Sequence, residues 1–329
     1  MSTDATVREA EVASRTDPTR VLVYSPKGAE AYAEALSNGD AGIQVTTATN
    51  RDEAARLVPD AEVLLSSNAF PVDLLERAER LRWIHVQGAG VNVWTSHGVP
   101  TGVRLSRTTG TFGPRMAQYA LTYVGVVAQG VRGLFEAQAE RRWSDPDIVD
   151  LTGRRLGVAG IGAIGASVAR LARAFGMRVS GLSRNEPSGI DLDAWYPTSR
   201  LHDFLADLDF LVIVLPLTPQ TRGMFDRAAF DAMPAHAWLV NVGRGPLIVE
   251  DDLLAALEHR AIGGAVLDVF DTEPLPPDHP FWDRDDVIVT PHCSGGTIVS
   301  EVVDVFLRNL EHWRSGAPLE NEVDFERAY

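Results

Sequence analysis

Three glycines with the spacing G-x-G-x-x-G form the first group of residues whose pattern implies chemistry. Gly160, Gly162 and Gly165 follow an apolar run that ends at Ala159, and a helical pattern begins directly after them. In a dinucleotide-binding turn, the first glycine permits a tight turn, the second lets the backbone approach a pyrophosphate, and the third lets helix and strand pack closely. Free N–H groups at the helix start favour the phosphates. The spacing therefore predicts a nicotinamide dinucleotide site, with a glycine-rich turn that binds nothing as the alternative.

Two polar residues after the next strand bear on which dinucleotide binds. An Asp or Glu at this position would accept a hydrogen bond from the ribose 2′-hydroxyl of NAD. The sequence instead has Ser183 and Arg184. A carboxylate would repel a 2′-phosphate, whereas a hydroxyl and a guanidinium can bind it. These residues predict a preference for NADP(H), with NAD(H) possible if Arg184 is only a solvated loop residue.

Composition excludes several other kinds of site. The 329 residues carry 30 cations against 45 anions, a formal net charge of −15, and contain one cysteine, Cys293. One cysteine excludes an internal disulfide and a multi-thiolate zinc site. Lys27 is the only lysine, which leaves no P-loop and little room for Schiff-base chemistry. The sequence has no basic tract, metal-binding spacing or apolar run of the roughly 18 residues that a membrane span needs. We therefore expect no nucleic acid, metal or membrane partner.

The elements that would position these residues follow from an alternation of short apolar runs and helical patterns. Residues 1–19 are polar and predict a disordered tail. Strands are predicted within residues 20–106 and again within 155–289, with helices that include 71–78, 114–131 and 298–314, and the charged stretch 132–150 between the two series. Strands that alternate with helices indicate βαβ units. We therefore predict an α/β fold of two Rossmann-like, doubly wound parallel-sheet domains.

Several segments, taken in order, resemble the D-isomer-specific 2-hydroxyacid dehydrogenases, and within them the glyoxylate/hydroxypyruvate reductase branch. Besides the glycine motif, these segments are WIHVQGAGV at 83–91, FGPRMAQYAL at 112–121, LPLTPQTRG at 215–223, NVGRG at 241–245, LDVFDTEPL at 267–275 and TPH at 290–292. The resemblance implies a flavodoxin-like substrate-binding domain of residues 20–111 and 296–329. It also implies a dinucleotide-binding Rossmann domain of residues 112–295, with an active-site cleft between the two.

The resemblance places the catalytic trio of that family on Arg244, Glu273 and His292. Arg244 would clamp the carboxylate and the carbonyl oxygen of a 2-keto acid with its planar fork. His292 would act as general acid and protonate the alkoxide that forms when hydride reaches the carbonyl carbon. Glu273 would favour the imidazolium form and orient the ring. Taken singly, the three residues have structural alternatives: a surface arginine, a turn residue and a core histidine.

Further binding positions are implied by the same resemblance. Ala89 and Gly90 would offer backbone N–H groups to the substrate, which Arg244 and His292 would also contact. Cys293 is expected to be a small apolar pocket residue. Besides Ser183 and Arg184, the positions expected to contact the cofactor are Gly160, Gly162, Ala163, Ile164, Gly165, Leu215, Pro216, Thr221, Val242, Gly243, Asp268 and Gly295.

The sequence thus predicts a cytoplasmic oxidoreductase that reduces a small anionic 2-keto acid, such as glyoxylate or hydroxypyruvate, to the D-2-hydroxy acid with NAD(P)H. A homodimer is expected, because the family usually pairs through the region that contains Trp143. Two alternatives stay open, since fold alone does not determine function. One is a non-enzymatic, nicotinamide-sensing protein similar to the C-terminal-binding corepressors. The other is a related dehydrogenase for a different 2-hydroxy acid, such as phosphoglycerate.

Overall fold

The computed structural model describes residues 17–325, which form two compact units. Unit 1 ends at Thr111 and resumes at Thr297, and unit 2 is Phe112–Gly296. The boundary after Gly296 lies one residue beyond the predicted end of the dinucleotide-binding domain. Residues 1–16 of the predicted tail lie outside the described residues.

Unit 1 is built on a parallel sheet of short apolar strands. The strands are β1 Thr19–Tyr24, β2 Ile43–Ala48, β3 Val63–Ser66, β4 Trp83–Val86 and β5 Arg104–Arg107. They are ordered β2-β1-β3-β4-β5, which is the flavodoxin-like order. Thr19, predicted to end the tail, instead begins β1, because its N–H pairs with the carbonyl of Gly42 at 3.0 Å and the residue is buried.

Helices cover the sheet of unit 1. The α-helices are Ala29–Gly39, Arg51–Leu57, Asn92–His97 and Val299–Ser315, and the 3₁₀ helices are Val58–Asp60 and Val72–Arg77. The helix predicted over residues 71–78 is 3₁₀ and not α, because its bonds span three residues, as from the Leu74 N–H to the Pro71 carbonyl at 2.9 Å. The last helix joins unit 1 by packing: the rings of Phe306 and Trp83, both fully buried, stack with their centroids 4.8 Å apart.

Unit 2 contains a second parallel sheet, of seven strands. They are β6 Arg155–Ala159, β7 Arg178–Ser183, β8 Ala194–Pro197, β9 Phe210–Ile213, β10 Trp238–Asn241, β11 Gly264–Leu267 and β12 Val287–Val289. The order is β12-β11-β10-β9-β6-β7-β8. Every residue of β9 and β11 is buried, as expected for a sheet covered on both faces. Strand β8 was not predicted, because an edge strand is half-buried and lacks a continuous apolar run; its terminal Pro197 is tolerated only at an edge.

The helices of unit 2 differ from the prediction at one break. The α-helices are Gly113–Ala128, Val131–Ala139, Ala163–Ala174, Leu201–Leu205, Arg227–Asp231 and Glu250–Glu258, and the 3₁₀ helices are Thr198–Arg200, Gly245–Leu247 and Pro280–Asp283. The helix predicted to run to Val131 ends at Ala128, because Gly130 takes a left-handed conformation with φ of 58°. No helix within residues 17–325 is long and apolar enough to span a bilayer.

Candidate active site

The carboxyl ends of the strands in unit 2 carry nearly all the predicted site residues. The glycine motif follows β6, Ser183 ends β7 and Arg184 follows it, and residues 215–221 follow β9. The three predicted catalytic residues follow β10, β11 and β12, which are neighbours in the sheet. Ligands of open α/β sheets bind at this edge, next to the point where strand order reverses, here between β6 and β9.

The glycine motif has the shape that a dinucleotide requires. Gly160 has φ of 109°, and a Cβ added there would lie 2.8 Å from the backbone of Val214 and Leu215. A Cβ on Gly165 would lie 1.9 Å from the carbonyl oxygen of Gly160. A Cβ on Gly162, at the start of the helix Ala163–Ala174, would meet nothing within 4 Å. Gly160 and Gly165 thus pack tightly against the backbone of the turn. Gly162 leaves space at the helix N-terminus, where a pyrophosphate can bind.

The two residues expected to read the ribose, Ser183 and Arg184, lie at the carboxyl end of β7. The Ser183 hydroxyl donates to the Asn185 carbonyl at 2.7 Å and accepts from the indole N–H of Trp195 at 3.0 Å. Its single proton is therefore already used within the loop. Arg184 is exposed at the end of the strand. Arg184 carries the guanidinium donors that a 2′-phosphate would need, and the contact of either residue with a cofactor stays a prediction.

Other predicted cofactor positions form the rim of the same sheet edge. Leu215 and Val242 are buried, and the N–H of Gly243 donates to the Asn241 side chain at 3.1 Å. The Thr221 hydroxyl donates to the Pro216 carbonyl at 2.7 Å, and this bond holds together the loop that follows β9. These residues stabilise the loops that follow β9 and β10. Their contact with a cofactor stays a prediction.

Arg244 lies in the loop after β10, which packs directly on the loop after β11. A Cβ on the next residue, Gly245, would lie 1.9 Å from the backbone of Phe270, so only glycine allows this approach. The Arg244 guanidinium donates to the Gly243 carbonyl at 2.6 Å. Burial lowers the pKa of Arg244, and the nearby charge of Glu273 opposes that shift. The arginine is therefore a largely desolvated cation beside a carboxylate.

Glu273 and His292 form a hydrogen-bonded pair. Nδ1 of His292 lies 2.7 Å from one carboxylate oxygen of Glu273, and the other oxygen accepts the Phe270 N–H at 3.0 Å. Burial alone would raise the pKa of Glu273, but the hydrogen bonds from His292 and Phe270 and the charges of His292 and Arg244 together hold it below its ordinary value. Glu273 is therefore an ionised, oriented partner for the imidazole ring.

His292 has an uncommon backbone conformation. Its φ is 51°, in the left-handed region that residues other than glycine rarely adopt. Its N–H donates to the Thr290 carbonyl at 3.1 Å. Sequence reasoning identified His292 by its motif and gave no indication of this conformation.

Asp268 is fully buried and holds the loop that carries His292. One of its oxygens accepts the Cys293 N–H and the other accepts the Ser294 N–H, both at 2.9 Å. Cys293 itself is exposed, and its thiol lies 3.6 Å from the same Asp268 oxygen that accepts its N–H. Its assignment as an apolar pocket residue stays a prediction. Gly295 follows, with room for a Cβ 3.4 Å from the sulfur of Met116.

Ala89 and Gly90 follow β4 in unit 1, where two unpredicted side chains orient them. Arg107 donates to the Ala89 carbonyl at 2.7 Å, and Asn68 donates to the Gly90 carbonyl at 2.9 Å. Because a trans peptide points its carbonyl and N–H in opposite directions, the bond from Arg107 also sets the direction of the Gly90 N–H. Neither the Ala89 N–H nor the Gly90 N–H donates to any partner within residues 17–325.

A family model matches the part of the chain that holds this site. Residues 122–294 match the NAD-binding domain of the D-isomer specific 2-hydroxyacid dehydrogenases. Glyoxylate/hydroxypyruvate reductase A of Serratia proteamaculans is 33% identical over 267 residues, which cover 79% of this chain and 85% of that protein. The chain belongs to the D-isomer-specific 2-hydroxyacid dehydrogenase family. The resemblance inferred from the motifs is therefore confirmed.

Solved structures of this dehydrogenase family share the fold. A D-isomer specific 2-hydroxyacid dehydrogenase family protein of Aeromonas salmonicida is 34% identical, with a TM-score of 0.87 over 94% of this chain and all of that one. An NADPH-dependent glyoxylate/hydroxypyruvate reductase of Sinorhizobium meliloti, solved with NADP and sulfate, is 29% identical, with a TM-score of 0.85 over 94% and 100% of the two chains. The predicted α/β class with two parallel-sheet domains is confirmed, as is an NAD(P)-dependent oxidoreductase.

Proposed function

We propose that this chain reduces a small 2-keto acid, such as glyoxylate or hydroxypyruvate, to the D-2-hydroxy acid with NAD(P)H. The observation that carries the proposal is the 2.7 Å pair between His292, in the loop after β12, and Glu273, in the loop after β11. Arg244 follows the next strand of the sheet, β10. The reductase names of the Serratia and Sinorhizobium relatives support the same reaction. The corepressor-like alternative is not favoured, and neither is phosphoglycerate, because the matched relatives are glyoxylate/hydroxypyruvate reductases.

The geometry of the three side chains supports the catalytic roles that we propose for them. Arg244 would bind the substrate carboxylate and carbonyl oxygen, because a guanidinium fork can bind two oxygens at once. Glu273 accepts from Nδ1 of His292, so Nε2 is the nitrogen that would deliver a proton to the alkoxide. The nicotinamide cofactor supplies the hydride when bound. The reaction consumes one keto acid, one NAD(P)H and one proton, and it releases the hydroxy acid and NAD(P)⁺.

The cofactor is NADP(H), with NAD(H) possible, as NADP in the Sinorhizobium structure and the NAD-binding domain match support. In this chain the N–H groups of Ala163, Ile164 and Gly165 would hold the pyrophosphate at the open helix start. Arg184 would bind the 2′-phosphate. We further propose that the Ala89–Gly90 turn binds the substrate carboxylate through N–H groups.

Replacement of Arg184 tests the cofactor assignment. Arg184→Ala should lower the ratio of kcat/KM for NADPH to that for NADH about tenfold, because it removes a charge-assisted contact to the 2′-phosphate. Steady-state rates with both cofactors measure this ratio. Arg200→Ala, at an exposed arginine paired with Asp203, is the matched control. An unchanged ratio would show that Arg184 does not read the phosphate.

A homodimer is also proposed. Trp143 is fully exposed, and Phe135 and Ile148 of the same region are 68% and 62% exposed. A contiguous exposed apolar surface commonly marks an interaction site, and we propose that these side chains contribute to one. Light scattering of the purified protein, compared with Trp143→Ser, would determine the state. A cytoplasmic location stays a prediction.

A screen of 2-keto acids tests the proposed function as a whole. The purified chain is mixed with NADPH or NADH and with glyoxylate, hydroxypyruvate, pyruvate or phosphohydroxypyruvate, and cofactor oxidation is followed by absorbance. The fastest turnover is expected with NADPH and the two smallest 2-keto acids. Absence of oxidation across the panel would reject the enzyme and return the cofactor-sensing alternative.

A further inference from the structure

Tyr119, Asp268 and Thr290 form a polar cluster in unit 2, and no role of Tyr119 or Thr290 has been assigned above. Tyr119, on the helix Gly113–Ala128, forms hydrogen bonds with the Thr290 hydroxyl and, at 3.2 Å, with the Asp268 carboxylate. Burial raises the pKa of the Tyr119 hydroxyl, so it stays a neutral donor over the working pH range. A helix is thus connected by hydrogen bonds to two side chains at the carboxyl end of the sheet.

Thr290 and Asp268 fix the chain by hydrogen bonds both before and after His292. Thr290 lies two residues before it, and the Thr290 hydroxyl donates to Asp268 at 2.8 Å. Asp268 also accepts the N–H groups of Cys293 and Ser294, directly after His292. The buried carboxylate of Asp268 is therefore bonded to Thr290 before the histidine and to Cys293 and Ser294 after it.

This attachment matters because the conformation of His292 costs free energy. A φ of 51° brings Cβ close to the backbone carbonyl, and such residues persist when their surroundings leave no alternative. If the loop were released, we expect His292 to relax to a negative φ. Rotation about this backbone bond would move the ring, and the 2.7 Å bond from Nδ1 to Glu273 would be lost.

We propose that Tyr119 is a positioning residue, which acts through Thr290 and Asp268 to hold His292 in the left-handed conformation that directs Nδ1 to Glu273. The role of this bond in catalysis rests on the proposed function, whereas the bond itself does not. The Tyr119 hydroxyl bonds Thr290 and Asp268, and it would act on the reaction through them. Its hydroxyl fixes the orientation of the side chains that bind the histidine loop.

Nuclear magnetic resonance of ¹⁵N-histidine protein tests the positioning without any turnover. The Nδ1 signal of His292, assigned by its loss in His292→Gln, should shift in Tyr119→Phe and in Thr290→Val, because the bond to Glu273 weakens. Thr290→Ser keeps the hydroxyl and should restore the wild-type signal. The matched control is Tyr123→Phe, because Tyr123 lies on the same helix with its ring 4.7 Å from that of Tyr119. An unshifted signal in both Tyr119→Phe and Thr290→Val would overturn the proposal.

Kinetics with NADPH and glyoxylate provide the second readout. Loss of one buried hydrogen bond should lower kcat of Tyr119→Phe about fivefold. The alkaline fall in kcat should also move to lower pH, as in Glu273→Gln. If both residues act through one bond, the losses in the double variant will be smaller than their product. A simple product of losses, with an unmoved pH profile, would assign Tyr119 a structural role only. Inactivity of the wild type would instead reject the proposed function and leave the spectroscopic result standing.

Discussion

Two histidines, His85 in unit 1 and His292 in unit 2, have opposite surroundings. His85 is fully buried on β4, and its ring nitrogens contact the hydroxyls of Ser106 and Thr108 at 2.8 and 3.1 Å. Burial lowers the pKa of His85 to about 3, so it is neutral in the folded protein. The His292 side chain is 47% exposed and faces a carboxylate at 2.7 Å.

The difference teaches that the partner, and not the residue type, decides what a histidine can do. Hydroxyls satisfy a neutral ring and leave an imidazolium without a counter-charge, so His85 is restricted to a structural role. A carboxylate together with solvent access stabilises the charged ring that a general acid needs. Motif position alone does not separate these cases, because each histidine lies in a segment that resembles the family.

The largest expected effect is on catalysis at His292. His292→Ala should lower kcat for glyoxylate reduction roughly 10²- to 10⁴-fold, because general acid catalysis is lost. NADPH affinity, measured by fluorescence titration, should change little. His259→Ala, at an exposed histidine bonded to the Ala255 carbonyl of its own helix, is the control. Wild-type kcat in His292→Ala would remove the distinction between the two histidines.

The next effect is on stability at His85. The folded pKa lies below the unfolded value near 6.5, so the stabilisation is complete above pH 6.5 and is lost as pH falls towards 3. At pH 5 the cost is about 2 kcal/mol. Urea unfolding at pH 7.5 and 5 should show this extra loss in the wild type and not in His85→Gln, whose amide can bond both hydroxyls but does not titrate. Parallel losses in both proteins would contradict a neutral buried His85.

The smallest effect concerns the carboxylate that distinguishes His292. Glu273→Gln should keep the bond from the Phe270 N–H but remove the charge that Nδ1 of His292 faces at 2.7 Å, so kcat/KM should fall at a lower pH than in the wild type. Loss of this charge-assisted hydrogen bond should lower kcat/KM roughly tenfold at alkaline pH. Because the pKa of Glu273 is lowered, the wild-type pair should persist to pH values below the ordinary carboxyl range. Superimposable pH profiles of kcat/KM would mean that Glu273 does not stabilise the charged ring.

Much of the fold was predictable because it depends on local pattern. Continuous apolar runs identified β9 and β11, since a parallel sheet buried on both faces requires them. Strand order was not predictable in this way, because it depends on pairings between distant segments. The break at Gly130 was missed since one glycine inside a helical pattern does not by itself end a helix.

The candidate site likewise contains residues that local sequence motifs predict and residues that depend on distant partners. Arg244, Glu273 and His292 were identified because each lies in a short motif. Tyr119 was missed because its partners Asp268 and Thr290 are 149 and 171 residues away, and hydrophobic periodicity reports burial without reporting hydrogen-bond partners. Arg107 and Asn68 were missed for the same reason.

The exposed thiol of Cys293 offers a direct way to observe this site. It is the only cysteine of the chain and is the residue next to His292, so one fluorophore attached there would label every molecule at a single position. Burial and the charge of Asp268 raise the pKa of this thiol, so the reaction with a maleimide should be slow at neutral pH and faster under alkaline conditions. Emission from that label would report ligand occupancy beside His292 in real time. Slower labelling of the thiol in the presence of substrate would measure substrate affinity without turnover.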